Sequence, residues 1–216
     1  MRFYVGATIT DVGKDKKVTS GAGHLSFFRR RKRLKSGERN RALAMSMESS
    51  TAIAQLCPNC GLCCDSTLFA DVELRAGDDA KRLRRLGLTL EKKGRSKLAF
   101  VQPCACFAGK LCGIYQDRPE RCRLFDCGLL KRVNAGETTA DAALKKIFTA
   151  KKQAGRVREL LNLLGQRDER MALTHRYAAA MGAPIDLSAD QNAERRGELM
   201  LAVGELMTRL ERDFLR

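Results

Sequence analysis

Apolar residues in the last third of the chain recur at helical spacing. Ala140, Leu144, Ile147, Ala154, Val157, Leu161 and Leu164 fall on one face. Thr138 with Asp141 makes a capping box before them, and Gly165 is a natural stop after them. A second helix is expected over about Arg167–Met181, ending at Gly182 with Pro184 beyond. Ser188 and Gln191 form another capping box, after which Leu199, Val203, Leu206, Met207, Leu210 and Phe214 mark the inner face of a third helix. Such stripes are core far more often than cofactor sites. Residues 137–216 therefore read as a helical bundle or cap.

Upstream the pattern is shorter and more broken. Asp78–Leu86 (DDAKRLRRL) reads as a short helix with acidic residues at its positive end. Ser96–Val101 (SKLAFV), closed by Pro103, reads as a short strand. Within Asp117–Val133, Arg118-Pro119 opens a helix that carries Cys122 and ends around Cys127-Gly128. Residues 47–136 are thus an irregular, cysteine-rich module with at most a short strand pair. Residues 1–46 show little periodicity and several glycines, the mark of a disordered basic extension. The regular pattern begins after Met45 and Met47, which fits a functional product starting near Met47. The expected fold class is mostly α, with the cysteine module packed against the C-terminal helices.

Composition adds bounds to this picture. A chain of 216 residues has room for one globular domain with a small appended module. At 6% aromatic and without Trp, its core must be mainly aliphatic. No apolar stretch approaches the roughly 18–20 residues of a membrane-spanning helix, and no secretory signal opens the chain. A cytoplasmic location is expected. The net charge of +16 suggests nucleic acid, but its distribution weakens that partner. Residues 1–46 hold 12 Lys and Arg against 3 Asp and Glu (+9), and the rest of the chain holds 29 against 22 (+7). A run such as Arg29–Lys35 (RRRKRLK) is usually a solvated arm, attracting phosphate without specificity.

All nine cysteines lie between Cys57 and Cys127. In a reducing compartment, clustered thiols are metal ligands or redox groups more often than disulfides. Cys57, Cys60 and Cys63 have the C-x2-C-x2-C spacing that turns the chain back around a metal, with Gly61 suited to the loop. Cys64 follows at once. In an extended segment successive side chains point to opposite sides, so Cys63 and Cys64 would serve different centres or only one would ligate. Cys104, Cys106 and Cys112 form a second group, Cys122 and Cys127 a third. Eight thiols would fill two four-ligand sites with one spare, and one site plus free thiols fits the count equally well. Arg118, Arg121 and Arg123 offer compensating charge near Cys122, while Asp117 is expected to cap the helix rather than touch metal. His24 and His175 have no cysteine partner nearby, so the site is sulfur-dominated, which suits zinc or an iron–sulfur cluster.

The motif Cys57-Pro-Asn-Cys60-Gly-Leu-Cys63-Cys64, then Pro103-Cys104, then Cys112-Gly-Ile-Tyr115-Gln-Asp-Arg118-Pro119-Glu-Arg-Cys122-Arg-Leu-Phe125-Asp-Cys127, resembles the YkgJ-type cysteine-cluster family of bacteria. That family is described as zinc- or iron-chelating, and flagellin lysine-methylating proteins resemble it in their cysteine module. The resemblance implies metal binding through Cys57, Cys60, Cys63, Cys64, Cys104, Cys112, Cys122 and Cys127, with Cys106 as the extra thiol. It implies a binding protein whose role is structural, redox or metal-handling. Two alternatives stand beside it: a protein-modifying enzyme, for which no nucleotide loop or catalytic constellation is seen, and a zinc-stabilised nucleic-acid adaptor.

Overall fold

In the computed structural model, residues 52–94, 97–184 and 190–216 are described. The expectations for residues 1–46, His24 and the Ser188 cap fall outside them.

Two long helices carry the C-terminal packing. Helix α5, Ala140–Leu163, starts at Thr139, whose side chain accepts from the Ala142 amide at 3.2 Å. The cap is therefore Thr139 and not Thr138. The helix ends as its sequence predicts: Gly165 has φ +82°, and the Gln166 amide closes on the Leu161 carbonyl at 2.8 Å. Its buried face comprises Ala143, Ile147, Ala150, Ala154, Val157, Leu160 and Leu161. The three alanines leave room for α7, Asp190–Leu210, which buries Leu199, Val203, Leu206 and Leu210. Lys146 pairs with Asp213 and Arg156 with Glu198, so the two helices run antiparallel. Helix α6, Leu173–Gly182, begins six residues later than about Arg167, because the Asp168 carboxylate accepts from the Arg170 amide and holds a turn there.

A five-residue π-helical turn, Glu211–Leu215, continues α7. It buries Asp213 among Arg132, Lys146, Arg209 and Arg212. Its end lies over Gly128, where an added Cβ would stand 1.8 Å from the Arg216 carbonyl oxygen.

The N-terminal half is built around a helix at residues 52–60 (α1) and a small antiparallel sheet. The expected strand is β3, Lys97–Val101, at the centre of the order β1-β3-β2. Its neighbours are β1, Asp71–Glu73, and β2, Leu90–Lys93, so the sheet has three strands. Val72 and Leu90 both stand opposite Phe100, which is buried. Helix α2, Ala80–Arg85, is capped by Asp79 through the Arg82 amide, in keeping with the acidic residues at its start.

The helix expected through Cys127 is shorter and divided. Helix α3 covers only Glu120–Leu124, Pro119 standing at its cap position, and Cys127–Gly128 opens α4, Gly128–Asn134, instead of closing α3. The break is fixed by Phe125, whose ring meets Phe69 edge-on at 5.1 Å. Asp117 does not cap α3. It pairs with Arg82 at 2.6 Å, and the Glu120 amide donates to Asp78 from the α2 turn.

One continuous core links Leu56, Leu62, Phe69 and Phe100 to Leu129, Ile147, Leu161 and Phe214. No helix among the described residues is long and apolar enough to cross a membrane. The chain is mostly helical with one small sheet.

Candidate metal centre

Cys57 and Cys60 lie three residues apart on the last turn of α1, which places them on one face. Gly61, at φ +75°, then reverses the chain, and the amides of Cys64 and Asp65 both return to its carbonyl at 2.8 and 3.0 Å. The position admits no side chain for a second reason: an added Cβ would stand 2.5 Å from Phe107 Cζ. Because Cys63 and Cys64 sit in this turn and not in an extended segment, their sulfurs stay together, 3.8 Å apart.

The sheet brings the second group to the first. The Gln102 amide donates to Ala70 at 2.9 Å and the Cys104 amide to the Cys64 carbonyl at 2.8 Å, so the strand leaving the sheet lies along the first loop. A short hairpin, with Phe107 bridged to Cys112 and the Gly113 amide on Cys106, folds Cys112 back beside Cys104. Cys106 donates its thiol to the Leu86 carbonyl at 3.3 Å and is also hydrogen-bonded to the side chain of Cys104. Cys122 comes from α3, and Cys127 is the N-cap of α4, its sulfur accepting from the Leu130 amide at 3.4 Å.

Six of the thiols, Cys57, Cys63, Cys64, Cys104, Cys112 and Cys122, line a single open cleft of about 350 Å³. Cys60, Cys106 and Cys127 stand outside its lining. All nine are free thiols. Burial pushes Cys57 and Cys122 up to about 12 and Cys104 up to about 11. Burial likewise raises Cys60 and Cys127, against the pull of amide hydrogen bonds from Leu62 and Leu130. In the Cys63–Cys64 pair, Cys64 donates and holds its proton, while Cys63 accepts and is lowered.

Of the three arginines near Cys122, Arg118 is the one whose charge acts on the thiols, favouring the anion on Cys57, Cys63 and Cys122. Its guanidinium lies 3.8 Å from the centroid of the Tyr115 ring, and its Nε donates to the Tyr115 carbonyl at 3.1 Å. Arg121 instead faces buried Glu73 at 3.8 Å, and Arg123 is exposed. His175 is exposed as well.

Among the described residues, no group of three or more His, Cys, Asp or Glu side chains is placed so that it could hold a metal ion as it stands. The donor set nevertheless suits a thiophilic metal. Several thiols share one cleft, backbone amides point at the sulfurs of Cys60 and Cys127, and Arg118 supplies positive charge. Residues 56–147 match the CxxCxxCC family model, described as "Putative zinc- or iron-chelating domain". No curated protein and no solved structure matches the chain. The match begins in α1 and extends past the last cysteine to Ile147, taking in α4 and the first two turns of α5.

Local sequence does not reveal what mounts the first loop on the C-terminal helices. Lys151 Nζ donates to the Asn59 carbonyl at 3.1 Å. Arg158 reaches the Asp65 carbonyl at 3.1 Å and Thr67 Oγ1 at 2.9 Å. The Leu173 amide, at the start of α6, donates to Ser66 Oγ at 3.2 Å.

Proposed function

We propose that this chain is a metal-binding protein whose thiolate centre, iron–sulfur or zinc, is held by Cys57, Cys60, Cys63, Cys64, Cys104, Cys112, Cys122 and Cys127. We further read the centre as reactive or exchangeable, serving redox chemistry or metal handling, and not as a structural staple. The observation that supports this reading is the open cleft lined by six of these thiols, with Cys57 exposed. Structural zinc sites are closed, whereas sites that exchange or react keep an approach from solvent. A bound metal would supply the positive charge that buried thiolates lack. The chain's own contribution is to fix the sulfurs on α1, the Gly61 turn, the hairpin and α3, and to place Arg118 beside them.

Isolating the protein without oxygen and measuring iron, zinc and acid-labile sulfide tests the first part. Brown protein with sulfide identifies a cluster; colourless protein with zinc identifies a zinc centre. A well-folded, fully reduced protein with neither metal overturns the proposal. For the second part, a soluble chelator should remove the metal while circular dichroism still shows the C-terminal helices. Metal that leaves only as the whole chain unfolds would make the centre structural.

A further inference from the structure

Apart from its thiols, the cleft is walled mainly by carbon. Of the chain's nine Phe and three Tyr, four line this one space: Phe100, Phe107, Tyr115 and Phe125. Buried Leu88 and Ile114 extend the same wall. At about 350 Å³ the cleft has the size of a small-molecule pocket and far exceeds the space of a single ion. Lys110 and Tyr115 are exposed, and Arg118 is stacked on Tyr115 and donates to its carbonyl. Beyond these three and the thiols, the only lining side chain with a polar group is Gln102.

Gln102 lies just beyond β3, its amide held on the Ala70 carbonyl at 2.9 Å. Phe100, Gln102 and Cys104 line the cleft, whereas Val101 and Pro103 do not. That is the alternation of an extended chain, and it turns the Gln102 side chain toward the cleft. The residue is 2% exposed, and its Oε1 is closed to solvent with no donor among the described residues. A buried carbonyl left unpaired destabilises the fold, so it calls for a donor from outside the chain. A water would need about two to four polar partners, and the aromatic and aliphatic wall offers few. We propose that the cleft binds an uncharged, planar aromatic molecule carrying one N–H or O–H donor, of the indole or phenol class. Its ring lies among Phe100, Phe107 and Phe125, and its donor bonds Gln102 Oε1. The terminal torsion of a glutamine is broad, so the oxygen turns to meet a donor that enters. With Arg118 already engaged, the interior offers no counter-charge for an ionised ligand. This site is made of carbon and a carboxamide, so it goes beyond the metal-binding reading and does not depend on it.

The test uses indole as the probe on the full chain isolated without oxygen, with iron and zinc measured on the same sample. The chain has no Trp, so indole emission is read without a protein indole beside it. Indole should saturate at one equivalent, its emission moving to shorter wavelength as it leaves water. Indene keeps the ring size and lacks the donor. As a competitor it should bind about tenfold more weakly than indole, whereas a purely apolar pocket would prefer it. Gln102→Met keeps the bulk and removes the acceptor, and should abolish or reverse that preference. Wild-type chain that binds no indole, or binds indene as tightly, overturns the assignment. So does a preference for indole that survives in folded Gln102→Met. The wild-type comparison decides even where the variant fails to fold. Donor-dependent indole binding by a chain without iron or zinc would sink the metal-binding reading and leave this one standing; metal without such binding does the reverse.

Discussion

Arg158, in the C-terminal part of α5, forms an ion pair with the Asp65 carboxylate at 3.1 Å and also donates to the backbone carbonyl of the same residue. It thereby clamps the turn that carries Cys63 and Cys64 to a helix more than ninety residues away in sequence. Both side chains are largely withdrawn from solvent, so their loss leaves partly buried acceptors without a donor. Arg158→Ala should destabilise the fold by about 1–3 kcal/mol. It should also speed loss of metal to a chelator, because the first loop would no longer be held against α5. Urea unfolding and chelator-exchange rates check the two effects. A stability loss with unchanged exchange would show that the clamp does not act on the centre.

How much of this was legible beforehand depended on the range of the forces involved. The period of α5 and α7 persists over 24 and 21 residues, so much of their inner faces is legible, although on α5 the buried set includes Ala143, Ala150 and Leu160 while Ala140, Leu144 and Leu164 are only half-buried, and the cap lies one residue later than expected. The strands Asp71–Glu73 and Leu90–Lys93 are too short to show alternation and form only because β3 pairs with each. The division between α3 and α4 was hidden because apolar positions continue through Leu129, Leu130 and Val133. It takes the Phe69–Phe125 contact, across the fold, to break the helix there. The thiol spacing marked the chemistry, whereas the anchors Lys151, Arg158 and Leu173 come from segments whose sequence gives no sign of the loop they hold. The cap that local sequence offers to Asp117 is filled by Asp78 from the α2 turn, again a tertiary choice.

Gly61 carries two separate demands, a positive φ and contact with the Phe107 ring. Gly61→Ala should cost at least about 1–3 kcal/mol from backbone strain alone, and more from the overlap. Metal content should fall with it. Adding Phe107→Leu should restore the steric part and leave the strain. Thermal unfolding of the single and double variants separates the two. If Phe107→Leu gives no recovery, the overlap is not what limits the site.

Arg118 is placed to stabilise anionic sulfur, and it is held in place by its own contacts with Tyr115. Arg118→Gln keeps a planar amide but removes the charge. In the metal-free protein it should raise Cys57 and Cys122 further, lessen the lowering of Cys63, and slow their alkylation near neutral pH. In the loaded protein it should weaken metal binding by about 10–100-fold, as for other outer-shell partners of metal ligands. Arg123→Gln, which alters an exposed side chain, serves as the control and should leave both quantities unchanged.

Stability should depend on pH in opposite directions with and without metal. In the metal-free protein, burial holds Cys57 and Cys122 at about 12 and Cys104 at about 11, against an ordinary value of 9.0. Folded-state values are raised, so the stabilising effect is complete below the ordinary value. Above it, the unfolded chain ionises while the folded thiols keep their protons, and stability is lost as pH climbs through 9 toward 11 and 12. The urea midpoint of the stripped protein should therefore stay level up to about pH 8.5 and decline beyond it. The loaded protein should show no such decline over that range, since its thiols are already held as anions by the metal. Its weakness lies on the acid side, where protons compete for sulfur, and metal should be released as pH falls. Parallel urea titrations of the two forms across this range, with released metal measured at each pH, check both signs. A stripped protein that grows more stable above pH 9 would mean that these thiols are not buried in protonated form.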